Sequence, residues 1–194
     1  MEYVPGVWGR VGRKSDKVTA MLEFITDRDI YEKVICERLG RAERFVWLAT
    51  SDLKDLYVDK NGIMVPFLEI LSDLAGRQVE IRLLHAKEPG PAFRRDFDRY
   101  PNLIGGMERI LCPRVHLKSL IIDGRFAYVG SANLTGAGMG AKSDRRRNFE
   151  SGIITDEQKI IEKAMEQFDG IWRATHCRDC GRKQFCADYK DMIV

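Results

Sequence analysis

Four side chains in one short stretch are chemically matched to a phosphate ester. His116, Lys118, Ser131 and Asn133 all fall within the segment HLKSLIIDGRFAYVGSAN. A neutral imidazole is a nucleophile, an ammonium binds an anionic oxygen, and a hydroxyl and a carboxamide add further donors. Such a set can attack phosphorus and meet the charge that builds up on its non-bridging oxygens.

Whether the four can meet depends on the elements that carry them. Leu117 to Ile122 is apolar and β-branched enough to predict a buried strand. Asp123-Gly124 predicts a two-residue hairpin turn, and Arg125 to Val129 a return strand. In that register Ile122 faces Arg125, Lys118 faces Val129 and His116 faces Ser131. Paired residues share a sheet face, as do alternate residues along a strand, so all four project to one side. Asp123 is seven residues from His116, about 23 Å at ~3.3 Å per residue. It is expected to set the turn and to lie outside the chemistry.

The pattern His116-x-Lys118-x4-Asp123, followed by Gly130-Ser131-x-Asn133, resembles the signature of the phospholipase D superfamily. The layout of that family is matched over about residues 18 to 175. The resemblance implies a covalent phosphohistidine at His116, with Lys118 and Asn133 on the phosphate oxygens and Ser131 assisting. It also implies that Glu150, in Asn148-Phe149-Glu150, orients the histidine as a hydrogen-bond acceptor. Members of this family bring two copies of the motif to one active site. This chain has one copy and no internal repeat, so the expectation is a homodimer. The second His116 then protonates the leaving oxygen and activates water, and no metal is needed for catalysis.

The rest of the chain reads as alternating strands and helices. Strands are expected at Met21 to Ile25, Phe45 to Thr50, Val79 to His85 and Ser151 to Ile154. Thr26 is a candidate cap for a helix through Leu39, and Gly40 ends it. Further helices are expected at Met64 to Ala75, at Ala92 to Arg99, and from a Thr155/Gln158 capping box to about Arg173. In the last helix Ile160, Ile161, Ala164, Phe168, Ile171 and Trp172 form an apolar stripe. The fold class is α/β, a mixed sheet sandwiched between helices, followed by a small Cys-rich metal-binding tail. Three regions are expected: a basic Gly-rich arm over residues 1–17, a catalytic domain over 18–175 and the tail over 176–194.

Composition bounds the function. The chain has 194 residues, 44% hydrophobic and 31% charged, enough for one domain with a full core. No apolar run approaches the ~18 residues of a membrane span. The basic first residues lack the apolar core of a secretory signal, so the expected location is the cytoplasm, with no membrane partner. Net charge is +3, but residues 91–150 hold eleven Lys and Arg against six Asp and Glu. This basic excess surrounds the motif, and it favours a poly-phosphate substrate, nucleic acid, over a lipid. Lys142, Arg145, Arg146 and Arg147 are the candidate phosphate contacts. The alternative readings are a phospholipase or phosphatidyl transferase, and a non-catalytic nucleic-acid-binding module with a zinc tail. DNA and RNA remain equally open.

The tail carries a second constellation. Cys177, Cys180 and Cys186, with His176 beside them, place three thiols within ten residues, and Cys-x2-Cys before a glycine resembles a zinc knuckle. Structural zinc is expected, with an iron–sulfur cluster as the rival. The fourth ligand is open between His176, Cys112, His85 and an aspartate. Elsewhere the plain reading prevails. His85 is expected to be structural, Cys36 a buried small apolar residue, and Trp8, Trp47 and Trp172 core or interface.

Overall fold

Strands form where β-branched and aromatic residues mass, and the strand over Phe45–Thr50 lies well inside the sheet. The computed structural model describes residues 20–54 and 56–189. In chain order the strands are β1 (Leu22–Thr26), β2 (Phe45–Thr50), β3 (Leu53–Lys54), β4 (Tyr57–Lys60), β5 (Ile63–Pro66), β6 (Glu80–His85), β7 (Met107–Leu111), β8 (Ser119–Ile122), β9 (Phe126–Gly130), β10 (Leu134–Thr135) and β11 (Ser151–Thr155). The helices are α1 (Arg28–Ile30, continued by a wide π turn over Tyr31–Cys36), α2 (Phe67–Gly76), α3 (Pro91–Phe97), α4 (Asn102–Gly106) and α5 (Gln158–Trp172). The expected arm over residues 1–17, with Trp8, lies outside the described residues.

Seven strands form one mixed sheet in the order β1-β11-β9-β8-β2-β6-β7. β2, β6 and β7 run parallel, joined by crossovers through α2 and through α3 and α4. The neighbours from β1 to β2 pair antiparallel. One face buries Val46, Leu48, Ile81, Leu120 and Tyr128 under α1 and α2. The other packs Trp47, Ile121 and Ala127 under Ile161 and Phe168 of α5. Trp47 stacks on Phe168 at 4.9 Å, Phe168 on Trp172 at 5.7 Å, and the Arg82 guanidinium sits over both tryptophans. Trp47 and Trp172 are therefore packing residues.

Several expectations are corrected. The Asp123-Gly124 turn forms, with φ of 55° and 67°, but Arg125 is an extra residue beyond it. Ile122 pairs with Phe126, and Ser119, not Lys118, pairs with Val129. The expected register is off by one. The first helix is not capped by Thr26. Asp27 takes φ 47° there because its backbone and carboxylate are engaged with Glu150. The wide turn that follows rotates Cys36 to the exposed side, so Cys36 is not buried. Residues 63–66 are strand, not helix, since Asn61-Gly62 makes a tight turn with φ of 57° and 84°. Thr155 does not form a capping box. Its hydroxyl donates to Met21 O at 2.7 Å and accepts from Glu157 N at 2.9 Å, and α5 starts at Gln158.

Candidate active site

The carboxyl ends of β1, β2, β6, β7 and β9 and the amino ends of β8 and β11 meet at one end of the sheet. His116, Lys118, Ser131, Asn133 and Glu150 all lie there, on the chain entering β8, leaving β9 and entering β11. His116 and Lys118 precede β8 and do not sit within it. The Lys118 ammonium donates to His116 Nδ1 at 3.1 Å and to His116 O at 2.9 Å. His116 is exposed, while Lys118 is only 8% exposed. Burial pulls the Lys118 pKa below its ordinary value, and the Glu150 charge works against that shift.

The shifted register pairs Gly130, not Val129, opposite Lys118. Convergence comes from the end of β9, where Ser131 turns across to β11. Its amide donates to Ser151 O at 2.9 Å, and its hydroxyl donates to Glu150 Oε2. Glycine is required at 130. A Cβ there would lie 2.3 Å from the Tyr128 hydroxyl and 2.5 Å from Ser151 O. Tyr128 lies across Gly130 and Gly152, is 1% exposed, and has its hydroxyl pKa pushed up to about 12 by burial.

The resemblance gives Glu150 the task of orienting His116. Here Glu150 holds Ser131 through Oε2 and Asn148 Nδ2 through Oε1 at 3.1 Å, while His116 Nδ1 faces Lys118. Sequence reasoning missed the residue that fixes Glu150. Asp27 N donates to Glu150 O at 2.9 Å, and Glu150 N donates to Asp27 Oδ1 at 3.0 Å. Only the left-handed strain at Asp27 reveals this clamp, and no local pattern announces it. Asn133 Oδ1 accepts from Ser51 N at 3.1 Å and Asp52 N at 3.2 Å. Its amide nitrogen is therefore the group left for a ligand.

The loop from Gly136 to Phe149 carries the basic candidates. Arg145 and Arg146 are exposed, and Arg147 pairs with Asp144 at 2.6 Å. Lys142 is half-buried, and its amide bonds Gly136 O at 3.0 Å. Asp123 lies at the opposite end of the sheet. Its carboxylate accepts from Glu43 N, Arg44 N and Phe45 N at 2.8–3.0 Å. His85 is buried with Nδ1 against Lys87 O. Among the described residues no three His, Cys, Asp or Glu side chains stand close enough to hold a metal ion as they are placed. Cys177, Cys180 and Cys186 lie on the tail, and His176 Nε2 lies beside Gly170 of α5. No described helix is long and apolar enough to cross a membrane.

The model of the family described as "Cardiolipin synthase, PLD-like domain" matches residues 35–172. No curated protein sequence matches the chain. Among solved structures it is similar to NucT from Helicobacter pylori, with a TM-score of 0.59 and 16% identity over 79% of this chain and 97% of that one. It is similar to Nuc from Salmonella typhimurium, a phospholipase D family member, with a TM-score of 0.59 and 13% identity over 79% and 95%. It also resembles the phosphatidylserine synthase of Haemophilus influenzae Rd KW20, with a TM-score of 0.54 and 15% identity over 79% of this chain and 38% of that one. The family match spans most of the sheet and both halves of the motif, and on that ground the chain belongs to the phospholipase D superfamily.

Proposed function

We propose that the chain is a phosphodiesterase that cleaves nucleic acid as a homodimer, through a phosphohistidine at His116. The observation that carries this reading is the pairing of an exposed imidazole with a buried ammonium at the sheet end, 3.1 Å apart. With Lys118 donating to Nδ1, the imidazole proton sits on Nε2. An incoming phosphate draws Lys118 onto its oxygens. The imidazole then carries its proton on Nδ1 and presents Nε2. Attack forms the N–P bond and breaks the ester P–O bond, and the leaving oxygen takes a proton from the second subunit's imidazole. That imidazole then takes a proton from water, whose oxygen attacks phosphorus and breaks the N–P bond. Lys118 and Asn133 hold the non-bridging oxygens. Glu150 fixes Ser131, and its charge favours the protonated form of Lys118.

A homodimer is supported by one motif copy per chain and by an uncovered apolar face. Phe24, Ile153 and Val129 lie side by side across β1, β11 and β9. Phe24 is 69% exposed and Val129 38% exposed, a cluster suited to a partner surface. Nucleic acid is supported by exposed Arg145 and Arg146 on the loop that leads into Glu150. A lipid diester is the second reading, favoured by Phe149, which is 95% exposed beside the site. The test is incubation of pure protein with labelled DNA, labelled RNA and phospholipid micelles at low salt, beside His116→Ala. Cleavage of nucleic acid by the wild type alone is expected. Lipid hydrolysis with nucleic acid untouched overturns the substrate, and binding with no cleavage of any substrate overturns the enzyme.

A further inference from the structure

Residues 173–189 hold a defined course with no fully buried side chain. Phe185 is 61% exposed, so the tail has no apolar core of its own. A segment this short needs a cross-link to keep one conformation. Yet it is docked on the chain leaving β7. Leu111 N donates to Asp188 Oδ2 at 2.6 Å, Cys186 Sγ lies 3.4 Å from Leu111 O, and Arg182 donates to Pro113 O at 3.3 Å. These contacts bring the tail to Cys112, the residue after Leu111. Cys112, Cys177, Cys180 and Cys186 line one groove of about 410 Å³ between β7 and α5.

Cys180 and Cys186 each have a backbone N–H turned toward the sulfur from two residues further on, Arg182 and Asp188, while Cys186 still stands as a thiol that donates to Leu111 O. The Arg114 guanidinium also lies 3.8 Å from Cys180 Sγ. A donor two residues past a cysteine stabilises the ligating anion and sets its direction, as supporting hydrogen bonds do around metal ligands generally. His176 lines the same groove, but its Nε2 is turned to Gly170.

We propose that Cys112, Cys177, Cys180 and Cys186 form a tetrathiolate site for a thiophilic metal, which staples the tail to the edge of the sheet. The core domain thus supplies the fourth ligand, in place of His176. The four thiols turn inward, lose their protons and bind the metal, and Arg114 offsets the net negative charge of the centre. Cys112 follows β7 and is four residues before His116, but none of the four cysteines belongs to the His116, Lys118, Ser131, Asn133 and Glu150 set, so the role proposed for the site is structural, and it stands independently of the proposed activity. A single zinc and an iron–sulfur cluster share this ligand chemistry.

The test is metal analysis of the full chain purified without chelator and without air. Zinc at about one per chain in a colourless sample, or iron with sulfide in a brown one, supports the site and identifies its occupant. Cys112→Ser is expected to weaken metal binding by more than the roughly 10–100-fold that loss of an outer partner costs, and His176→Ala to leave it unchanged. Alkylation of the wild-type chain covers the case of a misfolded variant. Cys36, exposed and outside the groove, should react equally with and without the metal, and the other four only after the metal is stripped. The proposal is overturned by absence of metal, by Cys112→Ser binding as tightly as the wild type, or by all five thiols of the loaded protein reacting alike.

Discussion

Asp123 belongs to the motif yet sits at the far end of the sheet, so its replacement should cost stability and leave the chemistry alone. One carboxylate oxygen accepts from Arg44 N and Phe45 N, and the other from Glu43 N. This ties the hairpin tip to the start of β2. Asp123→Asn keeps one acceptor but turns an NH2 toward Glu43 N. Losing that bond and the charge should cost about 1.5 kcal/mol. Asp123→Ala strips all three donors and puts alanine at φ 55°, for a total of about 4 kcal/mol. At ~2–4 °C per kcal/mol for a chain of this size, the melting temperature should fall by about 3–6 °C for Asn and about 8–16 °C for Ala. Burial alone would raise the Asp123 pKa, but the backbone donors of Phe45, Glu43 and Arg44 outweigh it and lower it. A depressed carboxylate stabilises the fold above its unfolded pKa of ~3.9 and loses that contribution as pH falls through the lower folded value. The gap between wild type and Asp123→Asn should therefore close below about pH 4. Thermal melts across pH, with turnover measured per folded molecule, check this. An unchanged melting temperature, or a well-folded variant with no activity, would refute the reasoning.

Gly130→Ala should destabilise by about 1–3 kcal/mol, read in the same melts, because its Cβ would strike the Tyr128 hydroxyl and Ser151 O. Lys118→Ala should lower kcat by about 10²–10³-fold. Since only the ammonium binds an anion and burial depresses its pKa, wild-type activity should fall with rising pH before ~10.4, a limb that Lys118→Arg should move upward. Arg145→Gln with Arg146→Gln should flatten the salt dependence of DNA affinity by roughly one slope unit for each lost phosphate contact, measured by titration at several salt concentrations.

The core strands were legible because their signal is local. The apolar run of Phe45–Thr50 matches β2 residue for residue, and Asp123-Gly124 marks the β8–β9 hairpin. What failed was one inserted residue, Arg125, which no propensity marks and which shifted the register of every pair beyond the turn. β7 carries no such signal because it is an edge strand whose Glu108 and Arg109 face solvent. The β4–β5 hairpin carries a strong turn signal in Asn61-Gly62, but Met64 and Val65 also extend the apolar pattern of the helix that follows. At the site, the residue types and their order along the chain were visible. Their partners were not. Asp27 reaches Glu150 from 123 positions away, and Cys112 reaches the tail from 65 or more. Contacts of that kind exist only once the sheet has formed.

The account rests on His116 as the covalent nucleophile, and covalent trapping tests it most directly. Wild-type and His116→Ala protein are mixed with a phosphodiester labelled in the phosphate, quenched within a turnover, and examined for label bound to protein through a phosphorus–nitrogen bond. Label is expected on His116 of the wild type and absent from the variant, with turnover lowered on the order of 10⁶-fold. Near-normal turnover by His116→Ala, or label on a residue other than His116, would contradict it.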